Sequence, residues 1–351
     1  MVEGLKQKQK IQAVSAAELP VSERENGVFY HSSKKFSLSA LWFALSQKDM
    51  SFKKAYRFYK KYDYIINNQE AIFHFHNLQN INDELLDYLI HHQIKYVLSL
   101  RGYDVTIFPL ISNINEKFLE KRLRHSWKIH SVCNSLVDNA STYYSLSKEK
   151  AHVIYRTPNL KDVFDFKPKS TLGKEINIFT ISRVHWKKCI AESLISIKKL
   201  IDQGFNVNYH VIGGFQGDEK KRLLYIITKL GLQNNVVLHG YQPEDQFKAV
   251  IAGMDICWIP TINEGLPNTI YFLLKSGVPT IASSTDGIPE VIKDGINGLL
   301  FSPYNFDELT TSTINLLKNS ELRLQLSNNA RNTELQNIES EVEQYINMYE
   351  A

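Results

Sequence analysis

The stretch Ile176-Asn177-Ile178-Phe179-Thr180-Ile181-Ser182-Arg183-Val184-His185-Trp186-Lys187-Lys188-Cys189 begins as a run of β-branched and aromatic residues and ends in a basic turn. An amphipathic helical pattern over 188–201 follows it. A strand that feeds a helix through a short polar loop is the unit of a parallel sheet. The unit recurs downstream, with strands expected over 206–212, 236–240, 256–260, 280–282 and 298–301, and helices over 218–230, 243–251, 268–276 and 288–294. Upstream, strands are expected over 71–76, 96–100, 127–133 and 152–155. This alternation predicts α/β domains with doubly wound parallel sheets, whose ligands sit at the carboxyl ends of the strands. The segment 159–174 contains Pro168 and Gly173, lacks periodicity and reads as an interdomain hinge. The expected division is a first domain over 1–165, a second over 166–331, and a last helix within 332–351 that reaches back to the first domain.

The chain has 351 residues, 43% hydrophobic and 22% charged, which suits two globular domains. No apolar run approaches the roughly 18 residues that span a bilayer, and no apolar segment follows the charged start, so neither a transmembrane span nor a signal peptide is expected. Cys133, Cys189 and Cys257 lie far apart without metal-like spacing, which predicts a reduced, cytoplasmic compartment and no zinc ribbon. Residues 1–170 hold 25 Lys and Arg against 17 Asp and Glu, whereas the remainder is acidic, 16 against 20. Such asymmetry predicts two domains that face different partners. In the most basic stretch Lys53, Lys54, Arg57, Lys60 and Lys61 alternate with Phe52, Tyr56 and Tyr59, three aromatics expected to share one helix face. That pattern reads either as a core helix with a solvated rim or as peripheral contact with an anionic membrane or a lipid-linked substrate. No nucleic-acid motif accompanies the bases, so no nucleic-acid partner is expected.

Three loops of the second half follow a strand and open a helix. In the first, Arg183 and Lys188 stand five residues apart beside a helix N-terminus, where they either neutralise a diphosphate from two sides or form a solvated turn. In the second, Asn263-Glu264-Gly265-Leu266-Pro267-Asn268-Thr269, Gly265 lets backbone N–H groups approach an anion and Pro267 suits a first helical turn. Glu264 fits a ligand with a phosphate at one end and sugar hydroxyls at the other, or it is a helix cap. The third loop runs from Ser284 to Gly298, and its glycines and proline read alone are turn punctuation.

Together these loops resemble the retaining glycosyltransferases of the GT-B fold, in particular glycosyltransferase family 4. The resemblance covers roughly 174–301 strongly and the first half weakly. It rests on Arg183 and Lys188, the strand end Val211-Ile212-Gly213-Gly214, Leu238-His239-Gly240-Tyr241, Asn263 to Asn268 and Gly287 to Glu290. It implies two Rossmann-like domains that face a cleft. Arg183 and Lys188 would hold the donor diphosphate and Glu264 the transferred sugar, with Gly214, Tyr241, Gly265, Leu266, Pro267, Asn268 and Thr269 completing the donor site. In the first half, Phe73 to His76 and Val97 to Asp104 resemble the family's strand-end motifs, which places His76, Arg101 and Asp104 on the acceptor side. His76 is equally a satisfied structural histidine, and Asp104 equally an Asx turn.

The departures are specific. Phe272 stands where the family has a second glutamate for the donor ribose, Arg101 where many members have a cleft histidine, and Cys189 where a glycine is common. Residues 4–14 resemble the end of the family's first helix and its second strand, so the first domain is expected to lack its first strand. The function implied is transfer of a hexose-type sugar from a nucleotide-diphosphate sugar to a saccharide or lipid-linked acceptor with retention. The pathway implied is bacterial cell-surface polysaccharide synthesis, in the cytoplasm or at the inner face of the membrane, without metal or cofactor. The alternative is a catalytically degenerate binding or assembly protein on the same scaffold.

Overall fold

The computed structural model describes residues 13–15, 28–30, 38–46, 51–157, 163, 165–169 and 172–351. They form two parallel-sheet lobes and a separate ribbon in which β1 (Ala13–Ser15) pairs in parallel with β2 (Val28–Tyr30). The first lobe has the strand order β3-β4-β5-β6, made of β3 (Phe73–Phe75), β4 (Tyr96–Leu100), β5 (Lys128–Ser131) and β6 (Ala151–Val153). The second contains β7 (Ile176–Ile181), β8 (Val207–Ile212), β9 (Val236–Gly240), β10 (Ile256–Ile259), β11 (Thr280–Ser283) and β12 (Leu299–Phe301). Their order is β12-β11-β10-β7-β8-β9, every neighbouring pair parallel. From β7 the chain builds outward to β8 and β9, then returns to the other side of β7 for β10. The reversal falls between β7 and β10, and loops leaving their carboxyl ends in opposite directions open a crevice there.

The sequence explains the central strands. β10 is buried at every position, so it reads as a continuous apolar run rather than an alternating one. Its Trp258 is fully buried and donates Nε1–H to Thr313 Oγ1 at 3.1 Å. Beside it, Thr180 Oγ1 donates to the Trp258 carbonyl (2.9 Å) and lies 2.7 Å from the Tyr209 hydroxyl, so these buried groups of β7, β8 and β10 satisfy one another.

The helix Phe52–Asn67 departs from expectation. Its buried face carries Ala55, Phe58, Tyr59, Tyr62 and Ile65, whereas Phe52 is exposed and stacks on Tyr56 with ring centroids 6.3 Å apart. Only Tyr59 of the three expected aromatics joins the core, because the stripe at three- and four-residue spacing from Ala55 offers more apolar area. The expected helix over 288–294 is the single turn Ile288–Val291. The last helix, Ile338–Glu350, begins behind an Asn337 cap, and its Val342, Tyr345 and Met348 pack on Val97 and Ile154 of the first lobe. Lys128 Nζ also donates to the Met348 carbonyl at 2.9 Å. The expected hinge over 159–174 lies partly, and the expected family-like start over 4–14 almost wholly, outside the described residues.

Two adjacent glycines at the end of β8 differ sharply. Gly213 has φ +145°, and a Cβ there would lie 1.9 Å from the Ser182 carbonyl oxygen, while a Cβ on Gly214 would meet nothing within 4 Å. Gly213→Ala is therefore expected to destabilise the fold by about 2 kcal/mol or more, through a strained dihedral and a backbone clash. Gly214→Ala should change stability by less than about 0.5 kcal/mol. Urea denaturation of the two variants checks this, and equal midpoints would refute it.

Candidate active site

A small, open recess lies at the carboxyl ends of β7 and β10, lined among others by Ser182, Lys188, Thr261, Pro267 and Thr269. The loop after β7 enters it through the short turn Trp186–Lys188, whose first amides are organised by His185 Nδ1, which accepts the Lys187 N–H at 3.4 Å. Cys189 then sits in the left-handed region at φ 49°. A glycine would adopt that conformation without strain, whereas the Cys189 side chain makes it costly. The turn delivers Lys188 into the recess with its side chain 14% exposed, in an ion pair with Glu264, itself 15% exposed. Burial, then the charges of Lys187 and Arg183, pull the Lys188 ammonium down to about 7. Lys187 is lowered by burial and Arg183, and steadied by Asp286 and Asp104. Arg183, Lys187 and Lys188 thus form one cluster of positive charge at the crevice.

The second loop fixes Glu264. Its backbone N–H donates to Asp286 Oδ2 at 2.7 Å, and burial raises the Asp286 carboxyl to about 6. Thr261 Oγ1 and the Ile262 N–H both donate to the Lys187 carbonyl, at 3.0 and 2.9 Å, which binds the Glu264 loop to the lysine turn. The helix Asn268–Ser276 follows, with Pro267 at its N-cap supplying no side-chain acceptor. Its first-turn N–H groups add positive partial charge to the recess. Ser182, which lines the recess, and Asn263 in the Glu264 loop each bury a side-chain oxygen that has no hydrogen-bond partner among the described residues.

The structure brings Arg183, Lys188, Glu264, Pro267 and Thr269 to one crevice. Gly265 and Leu266 also face the first lobe. A Cβ on Gly265 would lie 2.4 Å from the Arg101 carbonyl oxygen, and Leu266 packs against the cores of both lobes. The Gly214 carbonyl accepts the Val184 N–H at 2.8 Å, and Tyr241, at the end of β9, is 80% exposed. On the acceptor side, Asp104 is buried and accepts the Arg101 N–H at 3.0 Å, so its carboxylate closes a turn around Arg101. Burial raises that carboxyl to about 6 against the hydrogen bonds that would lower it. His76 Nδ1 lies 3.2 Å from Ser99 Oγ, which also contacts His74 Nε2 and His130 Nδ1 at 2.8 Å each. Burial and Arg101 lower the His76 imidazole, which keeps it neutral within that cluster. Phe272 packs on Phe247 with centroids 5.4 Å apart.

Sequence reasoning passed over Lys187, Asp286, Ser182 and Asn263. Lys187 stands beside Lys188 in the sequence, and nothing local to the chain tells the two lysines apart. Among the described residues no cluster of three or more His, Cys, Asp or Glu is placed to hold a metal ion, and no helix is long and apolar enough to cross a membrane.

Residues 162–333 match the family model of glycosyl transferases group 1. The chain is 27% identical over 143 residues to the amylovoran biosynthesis glycosyltransferase AmsK of Erwinia amylovora, a match covering 39% of this chain and 35% of that one. It is 23% identical over 269 residues to the N-acetyl-alpha-D-glucosaminyl L-malate synthase of Bacillus anthracis, covering 74% and 69%. Among curated relatives such as AmsK it thus spans about a third of the length. The crystal structure of Anabaena HepE in complex with UDP and glucose superposes with a TM-score of 0.73 at 15% identity, over 92% of this chain and 86% of that one. That likeness establishes the GT-B fold. Residues 162–333 are thus similar to the group 1 glycosyl transferases, and the chain as a whole has the GT-B fold of its two-lobed neighbours.

Proposed function

We propose that the chain transfers a hexose-type sugar from a nucleoside diphosphate sugar to a saccharide or lipid-linked acceptor, with retention, in cell-surface polysaccharide synthesis. The observation that carries this reading is the cluster of Arg183, Lys187 and Lys188 at the strand-end crevice, with Glu264 paired to Lys188. The names of the polysaccharide-building relatives support the pathway class.

Arrival of a diphosphate gives Lys188 a stronger anionic partner and frees the Glu264 carboxylate to accept hydrogen bonds from the sugar hydroxyls. As the bond between the anomeric carbon and the phosphate oxygen breaks, its electron pair stays on that oxygen. Arg183, Lys188 and the first amides of the helix Asn268–Ser276 balance the developing charge. These groups carry the neutralisation without a metal ion. The acceptor enters between the lobes, past His76, Arg101 and Asp104. Its hydroxyl attacks the face the diphosphate leaves and passes its proton to the departing phosphate oxygen. A second reading, a binding protein without turnover, is favoured by Phe272, which packs on Phe247 and offers a ribose no acceptor. Calorimetry with a panel of nucleotide sugars, followed by a hydrolysis assay, separates the two.

Arg183→Ala and Lys188→Ala are each expected to lower transfer by about 10²-fold or more while the far-ultraviolet circular dichroism stays unchanged. Unaltered turnover in either folded variant sinks the assignment, and nuclear magnetic resonance of the product anomer decides retention.

The second expectation concerns pH. With its ammonium lowered to about 7, Lys188 loses its charge as pH rises through that value, and a bound diphosphate holds the proton on. Affinity for the nucleoside diphosphate that binds should therefore fall between pH 7 and 9, by at most about tenfold per unit. In Lys188→Arg, whose guanidinium stays charged, that slope should flatten. Titration calorimetry across this range checks it, and an identical slope in both proteins would overturn the role of Lys188.

A further inference from the structure

Glu290 belongs to the second lobe, in the turn Ile288–Val291, yet its carboxylate is spent on the first. Oε1 accepts the Ser135 N–H at 2.9 Å. Oε2 accepts the Asn134 N–H and Asn134 Nδ2, each at 2.9 Å, and the Tyr155 hydroxyl at 2.5 Å. Asn134 and Ser135 open the helix Asn134–Tyr143, whose own N-cap, Cys133, supplies no side-chain acceptor. A helix leaves its first N–H groups unpaired, and a carboxylate beside them satisfies those donors and complements the dipole. Here that carboxylate comes from the opposite lobe.

The surrounding contacts are close enough to make the arrangement specific. Cys133 Sγ lies 3.6 Å from the Gly265 carbonyl, and the Gly287 N–H donates to the same carbonyl at 2.9 Å. A Cβ on Gly287 would come within 2.7 Å of Cys133 Cβ, and one on Gly102 within 2.7 Å of Gly265 N. Glycine at these points lets backbone meet backbone across the lobes. The Tyr271 hydroxyl, in a residue 3% exposed, has no hydrogen-bond partner among the described residues, and Glu290 and Tyr155 are among the charges and hydroxyls that act on it.

We propose that Glu290 is the catch that holds the two lobes in this closed alignment, capping the first-lobe helix Asn134–Tyr143 across the cleft and letting go of it when the lobes part. Closure sets Gly265 against the Arg101 carbonyl and so aligns the Glu264 loop with the acceptor-side residues. The buried, unpartnered Tyr271 hydroxyl works against closure and keeps it reversible. Glu290 acts through the lobe alignment and is a positioning residue.

Amide hydrogen exchange on the full chain, read by mass spectrometry with residue-level fragmentation, tests this without donor or turnover, so its outcome is separate from that of the proposed glycosyl transfer. In Glu290→Ala the Asn134 and Ser135 amides should exchange at least tenfold faster, while those of Tyr96–Leu100 keep their protection. Small-angle scattering should show a larger radius of gyration. Glu290→Gln, with one oxygen in place of two, should fall between. Tyr271→Phe should slow exchange at Asn134 and Ser135 below the parent rate. Unchanged protection at Asn134 and Ser135 in a folded Glu290→Ala or Glu290→Gln variant overturns the proposal. So does a loss of protection spread over the whole first lobe in Glu290→Gln, which would make Glu290 an ordinary structural support.

Discussion

Three cations forced together at the crevice between β7 and β10 are the constraint around which the second lobe is arranged. Two like charges about 5 Å apart, at an effective dielectric of about 20, repel by roughly 3 kcal/mol, a sizeable part of the stability of an ordinary domain. The fold answers with carboxylates. Glu264 takes Lys188, and Asp286 and Asp104 face Lys187 from the second and first lobes respectively. Burial raises both aspartates to about 6, against the pull of Arg101 on Asp104 and of Lys187 on Asp286, so both are mostly ionised at neutral pH. Arg183 is exposed and its charge acts on both lysines, and the recess carries helix amides without a side-chain cap and a Ser182 hydroxyl without a partner among the described residues. A set of charges balanced in this way is suited to a dianion that comes and goes, because an arriving anion replaces carboxylates already in position.

Much of this could be read from the chain itself, for identifiable reasons. β4, β9 and the helix Asn268–Ser276 fall where the pattern puts them, since buried parallel strands and amphipathic helices write their burial into local composition. Arg183, Lys188 and Glu264 were visible because loops after strands expose their chemistry in short, contiguous motifs. Lys187 was not, since two adjacent lysines look alike in a sequence, and only the left-handed Cys189 turn separates the one in the recess from the one between the aspartates. Asp286 carried no local signal because its partner, the Glu264 amide, is 22 residues away. His76 is a different case. The sequence left it between an acceptor contact and a satisfied structural histidine, and its neighbours Ser99, His74 and His130 converge only once three strands are laid side by side. The aromatic face of Phe52–Asn67 failed for a third reason, since several stripes on that helix satisfy the helical period and burial alone selects among them.

The loop from Glu264 to Thr269 ties these observations together, because consecutive residues in it answer to different parts of the molecule. The Glu264 side chain pairs with Lys188 and its amide with Asp286, while Gly265 meets the Arg101 backbone. Leu266 enters both cores, and Pro267 and Thr269 line the recess. No rotation of one lobe on the other leaves such a loop unaffected. Movement at Gly265 must reach Glu264 one residue away, and through it the ionisation and direction of Lys188. Packed contacts of this kind change between discrete arrangements rather than deforming gradually. The distance between the lobes and the charge available to an incoming diphosphate are therefore two aspects of one backbone segment, and a substitution that loosens either alters the other.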